Sequence, residues 1–348
     1  MRTPILPLVL GALLLAAAPA APATAVPTGW TSPSRAHATH KVVAHDLAVE
    51  SDGTVHLAIE SDDGSGIWYV SGGPGSWFKE QITVGDDRKP SIALDGSGVV
   101  IAYTRMTAGQ EGVYTITNVT GEWVTERRHT GAASDPSVAA YDGRAHVAFR
   151  VGSSLRYAAG PDDSAAGWIE ETVDTTCCST APSLALTSTG APRIAYGDGT
   201  SASPGGLVVQ SRTGADAWSR MVVDAHRVSA PALAVYQTGL YLAYVRRGAG
   251  TWYASKPGSQ NWTLKQLDAA SSGPPDISAF SGSAAFIFGK PGKLKYATMS
   301  GGILFTKVFT ATSGDRTPHI TRAGGKPLIT WLRSNGGAGD GVLLSKQK

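Results

Sequence analysis

Residues 90–123 read PSIALDGSGVVIAYTRMTAGQEGVYTITNVTGEW, from Pro90 to Trp123. A first strand core, Ile92-Ala93-Leu94, is followed by a Gly-containing turn and a second strand, Val99 to Tyr103. A third strand runs through Val113-Tyr114-Thr115, and Trp123 leads a fourth. Short β-branched and aromatic runs separated by Gly, Asp and Ser are strand and hairpin signals. No segment shows a sustained helical period.

The same unit recurs along the chain. Its aromatic marker is Trp30, Trp77, Trp123, Trp168, Trp218 and Trp262, with Phe305 expected in the seventh place. Its proline marker is Pro90, Pro136, Pro182, Pro231, Pro275 and Pro318, with His45 in the first place. Four strands per ~45-residue unit is the signature of a propeller blade. Proline suits the first residue of a strand, where its missing N–H does least harm. The last unit reaches Val342-Leu343-Leu344, its third strand, and the segment around Trp30 is a fourth strand without a unit of its own. Pairing the two closes the ring and leaves no open edge around it. The expected fold is therefore all-β: a seven-bladed β-propeller of four-stranded blades whose N-terminal strand completes the last blade. A six-bladed ring with a decorated end is the alternative.

Arg2, the apolar run Ile5 to Ala18 and the small residues Ala23-Thr24-Ala25 have the form of a secretory signal. Residues 1–25 are expected to be that signal and residues 26–348 a single domain, secreted and monomeric. No later stretch approaches ~18 consecutive apolar residues, so no membrane span is expected. The formal charge is +3, with no basic run, which gives no reason to propose nucleic acid. Cys177 and Cys178 are the only cysteines. Export would oxidise them. A bond between the two is expected, either as a locked turn or as an apolar bump against a ligand, with a bridge between chains as the alternative.

Where Ser211-Arg212-Thr213-Gly214 leads to Trp218, Ser255-Lys256-Pro257-Gly258 to Trp262, and Ser71 with Gly75 to Trp77, the unit resembles the repeats of secreted sialidase-like propellers. Those carry a Ser-x-Asp-x-Gly-x-x-Trp turn between the third and fourth strands; here the central Asp is absent each time. The resemblance implies a propeller, and as one possibility a glycoside hydrolase acting on an acidic saccharide. Phe149-Arg150-Val151 is similar to part of the Phe/Tyr-Arg-Ile-Pro segment of sialidases, without its proline.

Propellers bind ligands mainly on the face carrying the loops that enter the first strands and those joining second to third. Two residues beyond the aromatic position of the second strand, the units place Arg105, Asp198, Arg246, Lys290 and Arg333, with Arg150 one residue earlier in its unit. Guanidinium grips carboxylate or sulfate through two parallel hydrogen bonds. The expected ligand-binding residues are Arg105, Arg150, Arg246, Arg333, Asp135 and Arg316, and Arg105, Arg246 and Arg333 are expected to be replaceable by alanine without unfolding. Asp198 is the candidate general acid, with Asp46 and Asp135 behind it. The bland reading is that strand ends are solvated and arginine is common there. His56 and His146 hold matching places in two units and read as structural. His37, His40 and His45 form a weak metal signal, so neither metal nor cofactor is expected. The expected partner is an extracellular glycan or another anionic ligand; a protein-interaction scaffold is the remaining alternative.

Overall fold

The computed structural model describes residues 27–37, 42–96, 98–199, 204–300, 302–310, 314–334 and 341–348. The expected signal segment and His40 lie outside the described residues. Seven antiparallel sheets of four strands each make up the described structure, which is a seven-bladed β-propeller. Blade 1 spans residues 42–81, blade 2 87–130, blade 3 134–174, blade 4 183–224, blade 5 228–268 and blade 6 275–310. Blade 7 takes its inner three strands from residues 315–346 and its outer strand from Ser34–His37. Among the described residues no helix is long and apolar enough to cross a membrane.

Sheets stack face to face around the ring, so a middle strand is covered on both sides. That is why second strands read as nearly continuous apolar runs rather than alternating ones. Every residue of Val55–Ser61 is buried, and so is most of Gly98–Arg105. Outer strands meet water and carry the charges: Val124–Thr130 is largely exposed.

The N-terminal strand closes the ring as expected. Ser34 pairs with Leu344 and Arg35 with Leu343, and Trp30 forms an isolated bridge with Gln347. The Thr31 amide donates to the Lys346 carbonyl at 2.9 Å. Trp30 is 6% exposed and stands edge-on to Tyr296 and Phe309 of blade 6.

Two kinds of contact tie neighbouring blades. At the outer end of three junctions, a blade's aromatic marker packs edge-on against the third-strand tyrosine of the blade before it, as Trp30 does on Tyr296. Trp123 meets Tyr69 at 5.0 Å and Trp218 meets Tyr157 at 5.2 Å. Both indoles also donate to a glutamate of the preceding outer strand, Glu80 and Glu171, at 3.0 Å. Phe305 does not share this role. Tyr69 pairs with Glu80, three residues past Trp77, whereas Tyr296 pairs with Lys307, three residues past Leu304. Leu304 therefore holds the marker position. A shift of one residue turns a strand side chain to the other face, and Phe305 is 59% exposed.

At the inner end, a relay of hydrogen bonds circles the channel. The proline-marker positions form a collar around the channel, and the side chain one residue past each of them accepts the backbone amide of the residue two past the marker in the next blade. Ile92 donates to Asp46 at 2.9 Å, Val138 to Ser91 at 3.1 Å, Leu184 to Ser137 at 3.0 Å and Leu233 to Ser183 at 3.0 Å. Ala232 cannot continue the series. Asp276 makes good the loss: its Oδ1 accepts its own neighbour, the Ile277 amide, at 2.8 Å, and its Oδ2 accepts Ile320 of blade 7 at 2.8 Å. Asp46 does the same after His319, taking the Leu47 amide at 2.8 Å.

A buried amide left without its acceptor costs about 1–3 kcal/mol. Ser137→Ala, which orphans the Leu184 amide, is therefore expected to lower stability by about that amount in denaturant titration. Ala232→Ser, which faces an amide already satisfied, is expected to change it by less than about 0.5 kcal/mol. Equal effects of the two substitutions would contradict the relay.

Candidate functional site

The collar residues surround the mouth of a central funnel of about 510 Å³ to which all seven blades contribute. Its wall carries Asp46, Ser91, Ser137, Ser183, Asp276 and His319. Four residues immediately before collar prolines hold left-handed backbone: Lys89 at φ 51°, Asp135 at 56°, Ala230 at 47° and Thr317 at 41°. Such conformations are unfavourable for non-glycine residues, and before proline the helical regions are disfavoured as well. At each of them the pairing with the second strand shifts register, so these are bulges that bend the strand inward at the funnel mouth. One consequence is lateral: the Lys89 ammonium of blade 2 reaches the Asp135 carboxylate of blade 3. The Lys89 amide donates at 2.8 Å to Glu60 of blade 1, a carboxyl whose pKa burial raises.

Inside the funnel, His319 lies between two carboxylates, 3.5 Å from Asp46 and 3.6 Å from Asp276. All three side chains are about a quarter exposed. Burial works against charge on His319, but the Asp276 and Asp46 carboxylates outweigh it and raise its pKa. His45 stands edge-on at 4.7 Å and is hydrogen-bonded to the Thr330 hydroxyl at 2.9 Å. Burial, with the His319 charge beside it, holds His45 well below the usual imidazole range. The funnel thus carries one histidine that two carboxylates bias toward its charged form, beside a second that burial biases toward neutrality. Among the described residues no group of three or more His, Cys, Asp or Glu is placed to hold a metal ion. The matched histidines are structural, as expected: His56 and His146 each bond the third-strand tyrosine of their own blade, Tyr69 and Tyr157.

The second-strand cations do not converge on one point. Each is held by its own acid. Arg105 grips Asp87 through two bonds of 2.7 and 2.8 Å, and Arg333 grips Asp315 at 2.7 and 2.9 Å. Arg246 bonds Asp224 at 2.5 Å and covers Trp252 at 3.6 Å. Arg150 bonds Asp135 at 3.1 Å, and Lys290 stands 3.5 Å from Asp268. The expectation that these arginines are replaceable surface groups is corrected, because the carboxylates of Asp87 and Asp315 have no exposed area. The pairing had a signal in the sequence: Asp87 and Asp315 each stand three residues before a collar proline and directly opposite Arg105 and Arg333 in the ladder. Opposite charges at opposed positions attract.

Arg333 and Arg316 both line a hollow of about 280 Å³ between blades 7 and 1, together with Asp62. Asp198 lies elsewhere, in an ion pair with Arg220 of the outermost strand of blade 4 at 2.5 Å; it does not line the funnel. The cysteines are not a bump against a ligand. Their sulfurs adjoin each other, and both residues are buried among Leu155, Tyr157, Leu184 and Tyr196 between blades 3 and 4. Two cations that the register pattern did not single out are exposed on the mouth of blade 5. Arg227 and Arg247 are neighbours, with the Arg247 amide donating to the Arg227 carbonyl at 2.9 Å. Arg246 turns inward to its acid, and Arg247, one residue on, turns out.

No family model matches the chain, and no curated protein matches its sequence. Among solved structures it overlays a sialidase of Trypanosoma rangeli with TM-score 0.53 at 11% identity, over 90% of this chain and 59% of that one. The same sialidase in complex with the inhibitor DANA gives 0.54 at 11% identity, over 92% and 60%. Aleuria aurantia lectin, a six-bladed propeller described with a fucose recognition mode, gives 0.50 at 14% identity, over 78% and 96%. The chain spans about three fifths of the length of the sialidases it overlays. At these identities the likeness is one of fold, and it shows a propeller of sialidase-like build.

Two outcomes are expected. Removing one partner of a buried ion pair costs about 3 kcal/mol or more, so Arg105→Ala should lower the urea midpoint markedly; an unchanged midpoint would contradict the pairing. For His319, the unfolded value is near 6.5 and the folded value lies above it. Its stabilisation is then complete below about pH 6.5 and is lost as pH rises through the folded value. Wild type should lose stability relative to His319→Gln on going from about pH 6 to pH 9. Parallel pH curves would remove the bias of His319 toward its charged form.

Proposed function

We propose that this chain is an extracellular glycan-binding propeller that takes an acidic saccharide at the mouth of its central funnel. The observation that carries the reading is the funnel itself: about 510 Å³, lined from every blade, with serine, carboxylate and imidazole groups on its wall. Saccharides are recognised by such alternating donors and acceptors, and concave sites with a few convergent polar groups are where ligands bind. The sign of the ligand comes from the rim. Arg227, Arg247 and Arg316 are exposed on the face that carries the funnel mouth, outside the funnel lining, and make no ion pair with any described residue. Most acids of the same face, by contrast, are held by cations: Asp87 by Arg105, Asp135 by Lys89 and Arg150, Asp224 by Arg246, and Asp315 by Arg333, while Asp46 and Asp276 of the funnel wall share His319. Unpaired guanidinium groups on a face of neutralised acids favour an anion.

Solved structures of the same fold include a sialidase and a fucose-recognising lectin, so both hydrolysis and simple binding are compatible with this frame. Binding is the better-supported reading. A hydrolase of the sialidase kind would gather its arginines on one substrate carboxylate, and here each second-strand guanidinium holds a separate acid.

A glycan array with the purified protein tests the proposal. Acidic glycans are expected to bind, with affinity falling steeply as salt is raised. Arg227→Ala together with Arg247→Ala should weaken that binding about tenfold, roughly 1.4 kcal/mol, with the fold unchanged because neither side chain is buried. Binding confined to neutral glycans, or untouched by the double substitution, would overturn the acidic reading. Release of sugar from a sialoside or uronide panel would replace binding by catalysis.

A further inference from the structure

Each blade leaves the far edge of its outer strand unpaired, and six of the seven edges carry features that discourage joining another chain. Ser34–His37 is four residues long. Val124–Thr130 carries one glutamate and two arginines, and Ile169–Asp174 carries three acids. Ser76–Gln81, Ala217–Asp224 and Thr263–Asp268 each hold an acid and a base. Short length and charge are the usual means of keeping sheet edges apart. The outer strand of blade 6, Ile303–Thr310, differs: it has eight residues and a single charge, at Lys307. Ile303 is 58% exposed, Phe305 59% and Val308 46%. Aromatic and β-branched residues with little charge and no proline are the composition of a segment that adds to another strand.

The ladder shows which backbone groups this edge offers. Ile303 pairs with Ser300 across a two-residue connection, Phe305 with Thr298 and Lys307 with Tyr296. Residues flanking a two-residue hairpin form a hydrogen-bonded pair, and such pairs alternate along an antiparallel ladder. Ile303, Phe305 and Lys307 therefore bond inward to Lys293–Ser300, while Leu304 and Thr306 turn their N–H and C=O groups outward. We propose that this edge pairs antiparallel with the same edge of a second copy of the chain, about a twofold axis at Phe305, in place of the monomer expected from the sequence. In that register Leu304 of each copy exchanges both backbone bonds with Thr306 of the other. The two Phe305 side chains stand directly opposite, their Cβ atoms ~4.5–5.5 Å apart. Ile303 of each copy faces Lys307 of its mate, whose methylene stem covers it while the ammonium stays in water. The two lysines lie about 13 Å apart along the strands, beyond the screening length of ~10 Å at 0.1 M salt. The partner is a second copy because the strand complements itself: ring meets ring, and the one charge meets an aliphatic side chain. A contact between identical patches closes on itself as a dimer. The register shift between Leu294 and Lys295, opposite Val308 and Thr310, marks a bulge that bends the strand and ends the seam. The seam lies on the outer rim of the ring, and what the funnel binds does not bear on it.

Sedimentation equilibrium of the purified protein, from about 1 μM to about 1 mM, tests the proposal. Wild type is expected to pass reversibly from monomer to dimer within that range. Phe305→Lys, which sets two ammonium groups face to face at the axis, is expected to raise the dissociation constant by about tenfold or more. Phe78→Lys, at a site of blade 1 that is 57% exposed, should leave the constant unchanged. The register is read separately. Ile303→Glu puts a carboxylate opposite Lys307 of the mate, so it should keep the dimer and make it sensitive to salt. Ile303→Glu together with Lys307→Glu should abolish it. A monomer at every concentration overturns the proposal, and so does undiminished association of Phe305→Lys. Association weakened as much by Phe78→Lys as by Phe305→Lys overturns this seam, and loss of the dimer in Ile303→Glu alone overturns the axis at Phe305.

Discussion

The hydrogen-bond relay around the channel is the constraint on which the rest depends. Seven sheets can stack in a line as readily as in a circle unless something fixes the angle between them. Here the inner strand of one blade supplies an acceptor to the inner strand of the next, at a position that scarcely varies: Asp46, Ser91, Ser137, Ser183, then Asp276. The relay sets the distance of closest approach at the axis. The indoles then set the separation at the periphery, where the wedge between sheets is widest. Where an acceptor is missing, as at Ala232 and His319, the aspartate of the following blade satisfies its own amide and passes the link onward.

That substitution has an electrostatic by-product. Two carboxylates enter the funnel because two inner-strand amides lacked a serine, and His319 settles between them. The most polar part of the candidate site is thus a product of the closure of the ring. The same economy governs the rim. Left-handed backbone at Lys89 and Asp135 bends two inner strands and lets the two side chains meet across blades. Acids are neutralised by neighbours in the next strand or blade, and the cations left over face outward.

The fold was legible because it is periodic: proline, a short apolar strand, three more strands and a tryptophan, repeated with a terminal strand to spare. What could not be read was register to a single residue. Phe305 looked like the seventh marker because aromatics dominate that column, yet the ladder gives the place to Leu304. The arginines were visible as a column of cations, but their partners stand opposite in another strand, and only Asp87 and Asp315 reveal the match in sequence. Arg247 was hidden by Arg246 beside it. Asp198 was singled out for being the lone acid of its column, and its side chain turns to Arg220 on the outer strand. The burial of Cys177 and Cys178 depends on the packing of Tyr157 and Tyr196 across two blades, which no local pattern encodes.

Blade 7 also orders events in time. Its outer strand and its three inner strands are bridged by contacts such as Ser345 to Thr31, 314 residues apart. Every other blade is local, assembled from neighbours within ~45 residues, and can form while the rest of the chain is still extended. The seventh must wait for the most distant partners to find each other, a search whose entropic toll grows with the intervening length. Until then the first blade and the three local strands of the seventh present uncovered sheet faces. Assembly of this molecule is accordingly a nearly complete arc that forms early and a single late event that turns the arc into a ring.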